Sequence, residues 1–122
     1  MASGSKTVKF QGTFAVHDAS GVASPNKAIK DLNLTVGQVQ SSDPMCISGS
    51  TTDFAVPFGA ITGGKRIYIK SDQEITVKFN QITDTGFPWK GEGVVPSDSG
   101  ITGVWISTGP NDTNVEIVIA GD

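Results

Sequence analysis

The sequence predicts an all-β fold: a single-domain antiparallel β-sandwich, jelly-roll-like, of about seven or eight short strands. Three observations predict it. Apolar residues recur at period two along several short runs, the spacing of half-buried strands. Fifteen glycines, with many Ser, Thr and Asp, punctuate those runs as turn formers. No ten-residue window carries helical periodicity. The 122 residues suffice for one domain. A chain this long buries a core without help from disulfides or a metal.

In chain order, "MASGS" is small and polar and reads as a flexible arm over residues 1–5; residues 6–122 form the domain. "KTVKFQGTFAV" alternates Val8, Phe10, Gly12, Phe14 and Val16 against polar neighbours, a strand. "HDASGVASPNK" is loop by composition. "AIKD" fits one helical turn, after which Leu32, Leu34 and Val36 alternate as a strand. Gly37 then shifts the alternation to Val39, as a bulge does. "SSDP" is a turn. Two short strands follow, around Met45–Ser48 and Asp53–Phe58. Pro57 marks the second as an edge strand or a strand with an unpaired end.

"RIYIKSDQEITVKFN" reads as a hairpin turning at Ser71–Gln73. Ile67 and Ile69 share one face, as do Ile75, Val77 and Phe79. "QITDTGFPWKGEGVVPSDSG" reads as a long loop. "ITGVWIST" and "NVEIVIAG" form a second hairpin, with Val115, Ile117 and Ile119 on one face. The two hairpins align loosely, starting at Ile61 and Ile101, 40 residues apart. Either any two hairpins look alike, or the fold has two related halves.

Composition excludes several function classes. Apolar residues make up 37% and charged residues 17%, which is a globular composition. The net charge is −3, the pI is about 4.9, and only Lys65 and Arg66 are adjacent basic residues. That argues against a nucleic-acid partner. Cys46 stands alone, so no intrachain disulfide forms and folding in a reducing compartment is expected. "MASGSKTVKF" lacks the apolar core of a signal peptide. No run approaches a membrane span. The expected site of synthesis is a cytoplasm, with no membrane partner.

No catalytic motif, metal site or cofactor is expected. His17 is the only histidine. The following Asp18 would point to the opposite face of a strand end, poorly placed to orient it. One Cys and one His cannot make a structural zinc site. "DTNVE" spaces Asp112, Asn114 and Glu116 faintly like a calcium loop, without its glycine and closing glutamate; a turn entering a strand is the simpler reading. "TGGKR" lacks the spacing of a phosphate loop. Asp98 in "SDSG" reads as a turn former.

The interface candidates are Lys6, Lys9, Phe87, Trp89 and Lys90. In "TGFPWKGEG", Phe87 and Trp89 flank Pro88. Large aromatics with few rotors anchor interfaces; they also stack on sugars, and they can instead fold back to plug one end of a sandwich. Trp105 alternates with Val104 and Ile106 and reads as core or a subunit contact.

The pattern "ITGVWIS…NVEIVIAGD", with "RIYIKSDQEITVKFN" before it, resembles small β-sandwich structural proteins of tailed bacteriophages. The resemblance covers Ile61 to Asp122, half the chain, and carries no active-site residues. It implies a virion role: capsid decoration (cement), head-fibre base, tail or baseplate. It implies a homotrimer on the capsid surface, made in the host bacterial cytoplasm, with the major capsid protein as partner. Binding without turnover is then the expected function, since a protein that binds only the assembled lattice stabilises it by mass action. In that setting the arm, Met1 to Lys9, would order on a neighbouring subunit, with Lys6 and Lys9 meeting acidic capsid surface. A tail- or fibre-associated carbohydrate-binding module using Phe87 and Trp89 is the alternative. A cupin-like enzyme ranks last because it needs a histidine cluster.

Overall fold

The computed structural model describes residues 6–9, 11–17, 23–30 and 34–122. The expected arm, residues 1–5, lies outside the described residues, as does Asp18. Among the described residues ten strands follow in order: β1 (Lys6–Val8), β2 (Gln11–His17), β3 (Ala23–Lys30), β4 (Leu34–Val36), β5 (Gln38–Ile47), β6 (Phe54–Ala55), β7 (Gly64–Phe79), β8 (Phe87–Ile101), β9 (Val104–Thr108) and β10 (Thr113–Gly121). All pairing is antiparallel. Strands β5 to β10 form one six-stranded sheet, curled into a half-barrel.

The central strand is β7. Ile67 pairs with both Ile119 of β10 and Val95 of β8. Ile75 pairs with both Thr108 of β9 and Trp89 of β8. A strand has one partner per edge, so β8 runs along one edge of β7 and β10 and β9 lie end to end along the other. Outside these, β5 pairs with β10 and β6 with β9. The chain segments pair in step: Thr113↔Ile47 on one side of a break, Ile106↔Phe54 on the other. Between these pairs, residues 48–53 and 107–112 are of equal length and stack on each other, while Ser107 and Thr108 stay paired with β7.

That stacking is held by hydrogen bonds. Ser50 N donates to Gly109 O at 2.6 Å, and Thr108 N to Thr51 O at 2.9 Å. The hydroxyls of Thr51 and Thr108 both donate to Ser48 O at 2.7 Å. Gly49 N donates to Asp112 Oδ1 at 2.9 Å. Position 49 must be glycine, because a Cβ there would run into the Pro110 carbonyl.

The two predicted hairpins are not hairpins. "RIYIKSDQEITVKF" lies in one continuous strand, because Ser71–Gln73 makes a bulge. Ser71 is buried and its hydroxyl donates to Gln73 O at 2.6 Å. Across the bulge, Ser71 pairs with Gly91 and Ile75 with Trp89, so three β7 residues oppose Lys90 alone. Gly91 adopts φ +94, open to glycine at little cost. Nor do β9 and β10 pair with each other; each instead pairs with β7. The "long loop" before them is largely β8; only residues 80–86 turn. Pro88 and Pro96 lie in β8, which has β7 as its sole partner among the described residues. Proline suits such an edge strand. Pro57 marked an edge as well: β6, just before it, ends the sheet order. Of the helical turn expected at Ala28–Asp31, Ala28–Lys30 is strand β3 and Asp31 lies outside the described residues; part of the expected "HDASGVASPNK" loop also belongs to β3. Gly37 does break the alternation, separating β4 from β5.

Alternation on these strands makes the core. Ile67, Ile69, Ile75 and Val77 of β7 meet Val104 and Ile106 of β9 and Val115, Ile117 and Ile119 of β10 in one buried cluster. Each such side chain contributes about 1.5–3 kcal/mol by leaving water. Met45, Phe54, Phe58, Phe79, Trp89 and Val95 pack against its margin. The polar residues between them face out.

Candidate functional site

Of the interface candidates, Phe87 and Trp89 come together. Both lie on β8, opposite Val77 and Ile75, on the core-facing side of the sheet. Their ring centroids are 6.3 Å apart. Phe79 joins them, 5.4 Å from Phe87. Phe87 remains 39% exposed, while Trp89 is half-buried and its ring lies over Gly93, where an added Cβ would be 3.0 Å away. The indole N–H donates to Gly91 O at 3.2 Å. These aromatics are therefore the frayed margin of the core, with Phe87 its accessible face. Lys90 is exposed and follows Trp89 in β8, at the bulge.

Lys6 and Lys9 lie elsewhere. Lys6 opens β1 opposite Val36, in a two-stranded ladder separate from the main sheet, and Lys9 follows it, exposed. Trp105 is half-buried, opposite Lys78 and Ala55, on the face away from Val104 and Ile106. Cys46 is exposed on β5. His17 ends β2 opposite Ala23.

The opposite, outer face carries a group that the sequence did not single out. Lys70 of β7 is flanked by Glu116 of β10 and Glu92 of β8. Next to it along β7, Tyr68 donates its hydroxyl to Glu92. Asp72 accepts from Asn114 N at 2.9 Å and Asn114 Nδ2 at 3.0 Å. Lys70, Asp72, Glu92, Asn114 and Glu116, with Pro44, line an open cleft of about 260 Å³. Alternation along "RIYIK" placed Tyr68 and Lys70 away from the isoleucines, but their acidic neighbours lie 22 or more residues away. A second open cleft, of about 350 Å³, lies over the stacked loops between Glu74, Thr76, Ser107 and Asn111.

Most hydrogen-bonded carboxylates act as staples between strands. Asp53 pairs with Lys78 at 3.0 Å and accepts from Ser107 Oγ at 3.3 Å. Asp122 pairs with Lys65 at 3.0 Å and accepts from Gly37 N at 3.1 Å. The lysine hydrogen bond, then the amide, holds its carboxyl below the usual value. The calcium-like spacing Asp112–Asn114–Glu116 dissolves the same way: Asp112 holds Gly49, and Asn114 holds Asp72. Among the described residues no three His, Cys, Asp or Glu side chains converge to hold a metal, and no helix is long and apolar enough to cross a membrane.

No protein-family model matches this chain, and comparison with curated proteins and with solved structures gave no match.

Proposed function

We propose that this chain is a non-enzymatic virion structural protein of a tailed bacteriophage, a capsid decoration or cement protein that binds the assembled shell. One observation carries the reading. The carboxylates of Asp53, Asp72, Asp112 and Asp122 each tie together segments remote in sequence. Acidic groups spent on cross-linking a sheet suit a part that bears load. The terminal resemblance to phage β-sandwich proteins points the same way. In this reading the sheet belongs to a jelly-roll-like sandwich, and copies assemble as trimers on the capsid surface with the major capsid protein as partner. Phe87, exposed beside Phe79 and Trp89, anchors the contact, with Lys90 at its rim. Synthesis takes place in the host cytoplasm.

The alternative, a carbohydrate-binding module of a tail or fibre, would use the same aromatics. It is disfavoured by Trp89, whose ring packs against the core margin and over Gly93.

The test is cosedimentation of the purified protein with shells assembled from the major capsid protein encoded in the same genome, and with its unassembled subunits. Binding to shells alone is expected, weakened by Phe87→Ala. Binding to neither, with retention on an oligosaccharide array, would replace this reading with the alternative.

A further inference from the structure

Where β9 parts from β7, the outer face of the sheet opens into a fork. The last rung joins Ile75 to Thr108. Gly109 and Pro110 follow Thr108, and a proline has no N–H with which to continue a ladder. On the β7 side, Asp72, Gln73 and Glu74 oppose Lys90 alone and are all exposed. The two segments diverge, and residues 73–76 and 107–111 line the open cleft of about 350 Å³. Small-ligand sites occupy about 300–1,000 Å³, so this one suits a small molecule or the end of a chain.

The polar side chains of the fork divide into two groups. Ser107 and Thr108 serve the fold: Ser107 Oγ donates to Asp53 Oδ1, while Thr108 Oγ1 donates to Ser48 O and accepts from Thr51 N. The side chains of Gln73, Glu74, Thr76 and Asn111 have no partner among the described residues. Two amides, a hydroxyl and a carboxylate thus present donors and acceptors side by side.

Their chemistry selects a ligand class. Among the described residues no lysine or arginine lines the cleft. A phosphate, a sulfate or an acidic sugar would therefore meet the Glu74 carboxylate with nothing to offset the repulsion. No aromatic side chain lines it either, so a flat aromatic ligand finds no stacking surface. An ammonium would satisfy Glu74 but leave both amides and the hydroxyl unused. A neutral ligand dense in hydroxyls uses all four groups. Adjacent hydroxyls of a sugar ring can donate to the two oxygens of Glu74, and others can exchange hydrogen bonds with Gln73, Thr76 and Asn111. Space for the ring continues beside Gly109, where nothing lies within 4 Å of an added Cβ.

We infer that the fork between β7 and β9 binds a neutral saccharide, recognised by Gln73, Glu74, Thr76 and Asn111. Phe87 and Trp89 belong to the other side of the sheet, opposite Val77 and Ile75, and the inference stands whether or not the virion reading does.

The test is a nuclear magnetic resonance titration of the full chain, nitrogen-labelled, with the methyl glycosides of glucose, galactose, mannose and N-acetylglucosamine. Inorganic phosphate and methylammonium serve as charged probes. Saturable shifts confined to amides within 73–76 and 107–111 are expected with at least one glycoside, in the millimolar range, and none with phosphate. Glu74→Gln and Asn111→Ala should each weaken binding on the order of tenfold. Neither side chain has a partner in the fold, so the rest of each variant's spectrum should stay in place. Phe87→Ala should leave the binding unchanged. Shifts centred on Phe87 and Trp89 and lost in Phe87→Ala would overturn the inference in favour of an aromatic sugar site. Absence of saturable shifts with every glycoside, or tighter binding of methylammonium than of any of them, would also overturn it.

Discussion

Tyr68 on β7 donates its hydroxyl to Glu92 on β8, diagonally across the rung where Lys70 faces Glu92. That bond is the main reason the phenol is pushed up from 10.0 to about 12; desolvation and the charges of Glu92 and Glu116 add to it. The chain has one tyrosine, so an ultraviolet absorbance titration reads this group alone. Glu92→Gln should bring the midpoint down toward about 10. A midpoint unmoved by the substitution would deny the contact its role.

The same shift carries a pH signature. The raised folded value means the native state holds its proton longer than the unfolded chain does. The stability it adds is full below about 10 and is lost as pH rises through about 12. Denaturant midpoints for wild type and Glu92→Gln should converge above that range and differ below it.

Asp122 works with the opposite sign. Its carboxyl is held low by Lys65 and by the Gly37 amide. The stability this adds is present above the ordinary carboxylate value and is lost as pH falls through the folded one. Asp122→Asn should flatten acid unfolding in that window and reduce hydrogen-exchange protection at Gly37. Unchanged protection there would show that the amide has another partner.

Ile69 is fully buried, opposite Ile117. Ile69→Ala should cost about 2–5 kcal/mol, transfer plus cavity, with the fold retained. A thermal midpoint near wild type would mean that the core is looser than its burial implies.

Gly49→Ala probes the stacked loops. The new methyl meets the Pro110 carbonyl, backbone that cannot swing aside, so a loss of about 1–3 kcal/mol is expected. Gly109→Ala, where nothing lies within 4 Å of the added carbon, is the control and should be nearly neutral.

Local pattern legible in the sequence decided that this protein is all-β and which residues face inward. Alternation placed Ile67, Ile69, Ile75, Val77, Val115, Ile117 and Ile119 on buried faces, and all seven are buried. Period two is a property of the strand itself, so neighbouring residues suffice to reveal it. Pairing is different. Ser71–Gln73 has turn composition, yet β7 runs straight through it. Gly91 and Val115 oppose Ser71 from the two sides, and they are 20 and 44 residues distant in sequence. The Gly- and Pro-rich stretch after Gly86 looked like loop, yet it became β8 because an edge strand tolerates prolines that a central one does not. The acidic outer face around Lys70 likewise exists only once β8 and β10 flank β7. Side-chain alternation is written along the chain, whereas the partner of each strand is chosen by burial of the whole sheet, and only the tertiary structure decided that.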